Sequence, residues 1–248
     1  MTCANALQCS HADISFCDAV KSLREVIRQL PPGVEFLVVI MWAFGMPIFT
    51  SILSLGQPQG AAVFNDATLI GTVVFEVLVA AGLVWFLRVR EWTLEKAGLR
   101  VDIRGSLWGL ALLAAYYALT VVFQLAAHVL PVDMNALIAQ IPKTDGQISM
   151  EIVFVASVVN GVFEEVFVAG YAITALQQAR GMWTAINVST AVRVMYHLYQ
   201  GPVAFLTIAP MGLLFGYVYA RTRQLWPLIV AHVLLDIVGL LYGLQSQR

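Results

Sequence analysis

Six ionisable side chains interrupt the long uncharged stretches in the second half of this 248-residue chain. Glu164 and Glu165 lie within NGVFEEVFVAGY, Arg193 and His197 within RVMYHLYQG, and His232 and Asp236 within PLIVAHVLLD. Residues four apart on a helix share a face. Asn160 and Glu164, Arg193 and His197, and His232 and Asp236 all have that spacing. Three helices can therefore aim polar faces at one interior point. The chemistry such a set supports is hydrolysis. A carboxylate takes a proton from water as general base. Neutral imidazoles bind a metal or help to hold the water. A His–Asp face stabilises an oxyanion or completes a metal shell. Glu164 and Glu165 point about 100° apart on a helix. One is expected to face the site, and the other to pair with Arg193 or to snorkel.

The elements that carry these residues follow from composition. The chain is 60% hydrophobic and 12% charged, against about 45–50% and about 25% in soluble domains. The net charge of −1, with no basic patch, argues against a nucleic-acid partner. The apolar excess needs a lipid bilayer as solvent. A helix of about 20 apolar residues crosses about 30 Å of hydrocarbon. Seven such spans are read at 35–55, 67–88, 105–129, 149–177, 181–200, 203–221 and 225–244. The expected fold is all-α, a polytopic helical membrane protein. Pro47 and Pro210 are expected to kink their spans. Glu76 is alone in the second span, which favours a structural or interfacial role. His128 and Asp133 fall near the outer interface.

Residues 14–30 form an amphipathic stretch, with Phe16, Val20, Leu23, Ile27 and Leu30 on one face. It suits a helix lying on the membrane interface, stopped by Pro31-Pro32-Gly33. Residues 1–13 read as disordered, and a second interfacial stretch is expected at 91–103. The division is thus a lead over 1–33 and one membrane-embedded domain over 34–248, its motif-bearing core at 145–245. Cys3, Cys9 and Cys17 all lie in the lead, and with His11 their spacing matches no zinc pattern. No cleavable signal peptide is recognisable. With seven spans and the N-terminus inside, the inner segments hold 11 Lys and Arg residues and the outer ones 2. That asymmetry predicts a multi-pass protein of the cell membrane, N-terminus cytoplasmic.

There is no HExxH zinc motif, GxSxG elbow, P-loop or pair of span-borne aspartates. EEVFVAGY at 164–171, RVMYHLYQG at 193–201 and HVLLD at 232–236 resemble the three motifs of the CPBP intramembrane proteases, also called the CAAX prenyl endopeptidase or Abi family. EKAGLR at 95–100 is also similar to that family, and the resemblance covers roughly residues 90–245. It implies an intramembrane endopeptidase acting on hydrophobic or lipidated peptides. Glu164 would then be the general base, Glu165 the second motif glutamate, His197 the second-motif histidine, and His232 and Asp236 the third motif. It also implies Glu164, His197 and His232 as ligands, should zinc or another divalent metal take part. A metal-free glutamate mechanism is the other course. The arginine of the EExxxR pattern falls at Ala169. Arg193, with Asn160 in support, is the residue expected to replace its charge across a helix interface. Two other functions stay open on the residues alone. One is a non-catalytic membrane protein for immunity or partner binding, and the other is a small transporter or proton relay. The oligomeric state is not legible.

Overall fold

The computed structural model describes residues 11–55, 63–129, 143–144, 148–201 and 203–245. Helix α1 (His11–Arg28) is followed by α2 (Pro32–Ser54), α3 (Asp66–Val89) and α4 (Ile103–Val129). Next comes a continuous rod, Met150–Arg180. It consists of α5 (Met150–Glu164), a π-helical segment (Glu165–Tyr171) and α6 (Ala172–Arg180). Helices α7 (Met182–Tyr196), α8 (Val203–Thr222) and α9 (Trp226–Gln245) complete the chain. All seven expected spans are helical. Four of them, α2, α3, α4 and the Met150–Arg180 rod, are long and apolar enough to cross a membrane by themselves among the described residues.

The expected fifth span is shorter than 181–200. Helix α7 ends at Tyr196 because His197 leaves helical geometry, with φ −105° and ψ 7°. A single 3₁₀ turn over Leu198–Gln200 and Gly201, at φ 67°, then reverse the chain. The expected interfacial stretch at 91–103 is a run of turns, and α1 begins at His11, inside the segment read as disordered. Residues 1–10, which include Cys3 and Cys9, Asp133 and the side chains of His11, Cys17 and His128 lie outside the description.

Side-chain chemistry accounts for several boundaries. Pro32 opens α2, where its fixed φ suits a helix start and its missing N–H costs nothing. Asn65 caps α3 in a reciprocal pair with Thr68, each side chain accepting from the other's backbone N–H at 2.9 Å. Two-residue strands β1 (Val63–Phe64) and β2 (Lys143–Thr144) pair in parallel and start α3 and α5 side by side.

Contacts between connections fix the alternation of the spans. Ser149 donates from N and Oγ to Asp66, joining the starts of α3 and α5. The Tyr199 N–H donates to Ser51 Oγ, so α7 ends beside the end of α2. At the opposite end Leu225 N donates to Gly98 O, and Tyr219 OH to Ala97 O. The 95–100 turn therefore docks on the α8–α9 connection. Arg90 donates to the carbonyls of Ile27 and Arg28, so α1 ends there too. Seven antiparallel helical segments, with the rod counted once, satisfy all these contacts. They bring Arg28, Arg88, Arg90, Lys96, Arg100, Arg104, Arg180, Arg221 and Arg223 to one end.

Large apolar side chains such as Met41, Phe49, Leu78, Val122 and Leu125 remain exposed on α2, α3 and α4, which is where lipid replaces water. Inside, one apolar cluster joins α2, α3, the rod and α7, and a second joins α4, the rod, α7, α8 and α9. Between α5 and α9 the backbones approach closely at Gly161. A Cβ there would stand 2.8 Å from Val233 Cγ2 and 3.2 Å from Val233 N. His232 is the next residue, so this approach sets how far α9 reaches toward α5. Gly161→Ala should therefore destabilise the folded protein by about 1–3 kcal/mol through overpacking. Gly33→Ala, where a Cβ meets nothing within 4 Å, should not. Thermal unfolding in detergent measures both, and equal melting temperatures for the two variants would contradict the close approach.

Candidate active site

Spans α5, α7 and α9 meet at a buried polar cluster. Its centre is Arg193, only 1% exposed. One guanidinium nitrogen lies 3.3 Å from Glu164 Oε2 and another 2.9 Å from Glu165 Oε1. Two adjacent carboxylates thus share one cation from the neighbouring helix. The planar, forked guanidinium suits that geometry in a way a lysine point charge does not. Both glutamates face inward. Part of the reason is local, because the wider π turn begins at Glu165, and its i→i+5 pattern departs from α-helical angular spacing. Backbone carbonyls in and beside that segment find side-chain donors. Val168 O accepts from Ser189 Oγ at 2.7 Å, and Gly170 O accepts from Thr174 Oγ1 at 2.5 Å. Such donors are what irregular backbone requires at membrane depth.

The third side of the cluster comes from α9. His232 Nδ1 is 2.6 Å from Glu165 Oε1. Its Nε2 is 3.8 Å from Glu164 Oε2 and 3.6 Å from Asp236 Oδ1. Asn160 Nδ2 donates to Asp236 Oδ2 at 2.8 Å, linking α5 back to α9. The i, i+4 faces read from the sequence therefore do converge for Asn160–Glu164 and His232–Asp236.

His197 is placed differently. It is half-buried at the end of α7, tilted against the Tyr196 ring and stacked on that of Tyr199. Its Nδ1 donates to Arg193 O at 2.9 Å, since a carbonyl only accepts. In the neutral ring this leaves Nε2 as the acceptor. Among the described contacts, no hydrogen bond or ion pair joins His197 to Glu164 or His232.

Two members of the site were not picked out by spacing. Tyr196 OH donates to Glu164 Oε2 at 2.5 Å. A tyrosine next to the motif histidine was the available signal, but aromatic side chains in spans read as packing. Glu76, expected to be structural because it is isolated in sequence, is buried on α3. It is close enough to feel the charges of Glu164, Asp236 and His232. All described contacts of Glu164 fall on Oε2.

Metal ligation fits this arrangement poorly. Among the described residues no three His, Cys, Asp or Glu side chains are disposed to hold an ion. Of the three proposed ligands, His197 is bonded by Nδ1 to Arg193 O, His232 is turned by Nδ1 toward Glu165, and Glu164 is held by Arg193 and Tyr196. The guanidinium occupies the position of the compensating cation.

Removing that cation has a defined cost. Arg193→Ala should lower stability by about 3–5 kcal/mol, the effect of leaving buried charge unpaired. Ala169→Arg in the same background should not restore it. Ala169 is 1% exposed and packs in the second apolar cluster, with no room for a guanidinium. Thermal unfolding of the detergent-solubilised variants tests both statements, and an unchanged Arg193→Ala would overturn the pairing.

Residues 147–238 match the family model described as Rce1-like, type II CAAX prenyl endopeptidase. That stretch contains Asn160, both glutamates, Arg193, Tyr196, His197, His232 and Asp236. No curated protein and no solved structure matches the chain. The match agrees with the three motifs and with the CPBP resemblance, and at family level it supports an intramembrane endopeptidase. The segment that builds the buried cluster is thus similar to the Rce1-like, type II CAAX prenyl endopeptidase family.

Proposed function

We propose that this chain is an intramembrane endopeptidase that hydrolyses peptide bonds of hydrophobic or lipidated, membrane-associated peptides, using water activated by Glu164. The observation that carries the reading is the cluster itself. One helix supplies two carboxylates, a second their arginine and tyrosine partners, and a third a His–Asp face.

Glu164 Oε1 takes a proton from water, and the water oxygen bonds to the substrate carbonyl carbon. The carbonyl electron pair moves onto oxygen, and His232, braced by Glu165 and Asp236, faces that oxyanion through Nε2. The protonated Glu164 then gives its proton to the leaving nitrogen as the C–N bond breaks. Arg193 and Tyr196 hold Oε2 and so fix the direction of Oε1. Glu165 orients His232 and balances Arg193. His197, its Nε2 an acceptor, lies at the edge of the site and serves the proton on the departing amine. General-base and oxyanion contributions of this kind are each worth on the order of 10²–10³-fold or more in rate. The site requires no metal ion in this scheme.

The working unit is one membrane-embedded domain over 34–248, preceded by a short lead. The basic end of the bundle faces the cytoplasm by the excess of Lys and Arg in its short connections. Purified protein incubated with a pool of apolar and prenylated peptides should yield fragments readable by mass spectrometry. Glu164→Gln should lower the rate by about 10²–10⁴-fold while leaving the melting temperature near wild type. Fragments formed at equal rates by both proteins would end the assignment of Glu164 as the base.

A further inference from the structure

Glu76 is buried in α3 and has no role in the scheme above. It is 5% exposed, and its Oε2 has no hydrogen-bond partner among the described residues. Buried polar atoms without partners are uncommon in folded proteins. Inside a membrane span they are costlier still.

Its position follows from the packing. Helices α3 and α5 start side by side and run in parallel. Near their starts Leu69, Val73, Val153, Ala156 and Ile237 form an apolar plug. Glu76 lies one turn beyond Val73. Ser157 and Asp236 are the immediate chain neighbours of Ala156 and Ile237. Glu76 therefore sits where the plug gives way to the polar cluster. Ser157, 1% exposed, also carries an unpartnered Oγ at this boundary. A buried oxygen without a partner, next to a polar cluster, marks a place for an occupant.

The charges around Glu76 define what it can offer. The charged groups near enough to act on it are Glu164 of α5 and His232 and Asp236 of α9. Helix α2 brings only Glu35, which is bonded to Arg90, Trp92 and Tyr171 at the opposite end. Against Glu164, Glu165 and Asp236 the cluster sets Arg193 and His232. A fourth ionised carboxylate would have no counter-ion. An uncharged carboxyl adds no charge and gains an O–H donor. The cluster is rich in acceptors, so a further donor serves an acceptor brought by the substrate.

We propose that Glu76, in its uncharged acid form, is a further residue of the site and donates a hydrogen bond to the carbonyl oxygen of the bound peptide. This rests on the peptidase reading, which supplies the carbonyl. The full-length protein in lipid vesicles tests it through Glu76→Gln and Glu76→Ala. Glutamine keeps a neutral donor and alanine removes it. With the peptide pool as substrate, Glu76→Gln should retain kcat/KM within about threefold of wild type. Glu76→Ala should lose on the order of 10²-fold, as when an oxyanion donor is removed. An alanine variant as active as wild type, or a glutamine variant as impaired as alanine, would overturn the proposal. Infrared difference spectroscopy gives a readout independent of turnover. A protonated-carboxyl band should be present in the wild type at neutral pH and absent from Glu76→Gln, and a band common to both would also overturn it. If the wild type cleaves nothing yet shows the band, the peptidase reading has failed while the charge state of Glu76 stands.

Discussion

Two neighbouring carboxylates buried in a membrane-spanning helix need a cation within reach, and this chain supplies it from the next helix. Taking ions out of water costs several kcal/mol each, and only close, well-directed contacts repay it. The Arg193 guanidinium lies 2.9 Å from Glu165 and 3.3 Å from Glu164. Much else follows from that contact. Helix α7 must sit in register with the rod, and Ser189 fastens the same two elements at Val168 O. Helix α9 must approach until His232 reaches Glu165, which a glycine at 161 permits. Tyr196, adjacent in sequence to the histidine that closes α7, then falls onto Glu164.

The π-helical segment connects this centre to the basic end of the bundle. It begins at Glu165 and ends at Tyr171, whose hydroxyl donates to Glu35 Oε1 at 3.0 Å. Glu35 also accepts from Trp92 Nε1 and pairs with Arg90. The starts of α2 and of the turn after α3 are thereby tied to the far end of the segment that carries the site. Ala169 lies within the same segment among apolar neighbours. An arginine side chain at that position would lose the packing. The cation beside the two glutamates is Arg193.

The spans and the three i, i+4 faces were legible because charge is scarce in this chain, so each ionisable residue inside an apolar run carries information. The three-helix convergence and the pairing of Arg193 with the motif glutamates could be argued from spacing and from the gap at Ala169. What remained hidden depends on packing between helices. An α-helical reading separates Glu164 and Glu165 by angle, whereas the structure turns both inward where a π turn begins. Glu76 looked isolated because its neighbours come from α5 and α9, far along the sequence. His197 looked equivalent to His232 until the helix end turned its Nδ1 back onto Arg193 O. The 91–103 stretch carries an interfacial composition, yet its backbone groups bond to the α8–α9 connection and keep it in turns.

A double-mutant cycle across the α5–α7 contact measures the organising interaction directly. The four proteins are wild type, Glu165→Gln, Arg193→Met and the double variant, each unfolded reversibly in the same detergent. A shared buried ion pair predicts strong coupling. Each single variant should be destabilised, and the double variant should lose less than the sum of the two by about 1–3 kcal/mol. Additive losses would mean that Arg193 and Glu165 do not depend on each other, and the cluster would then have to be held together by something else.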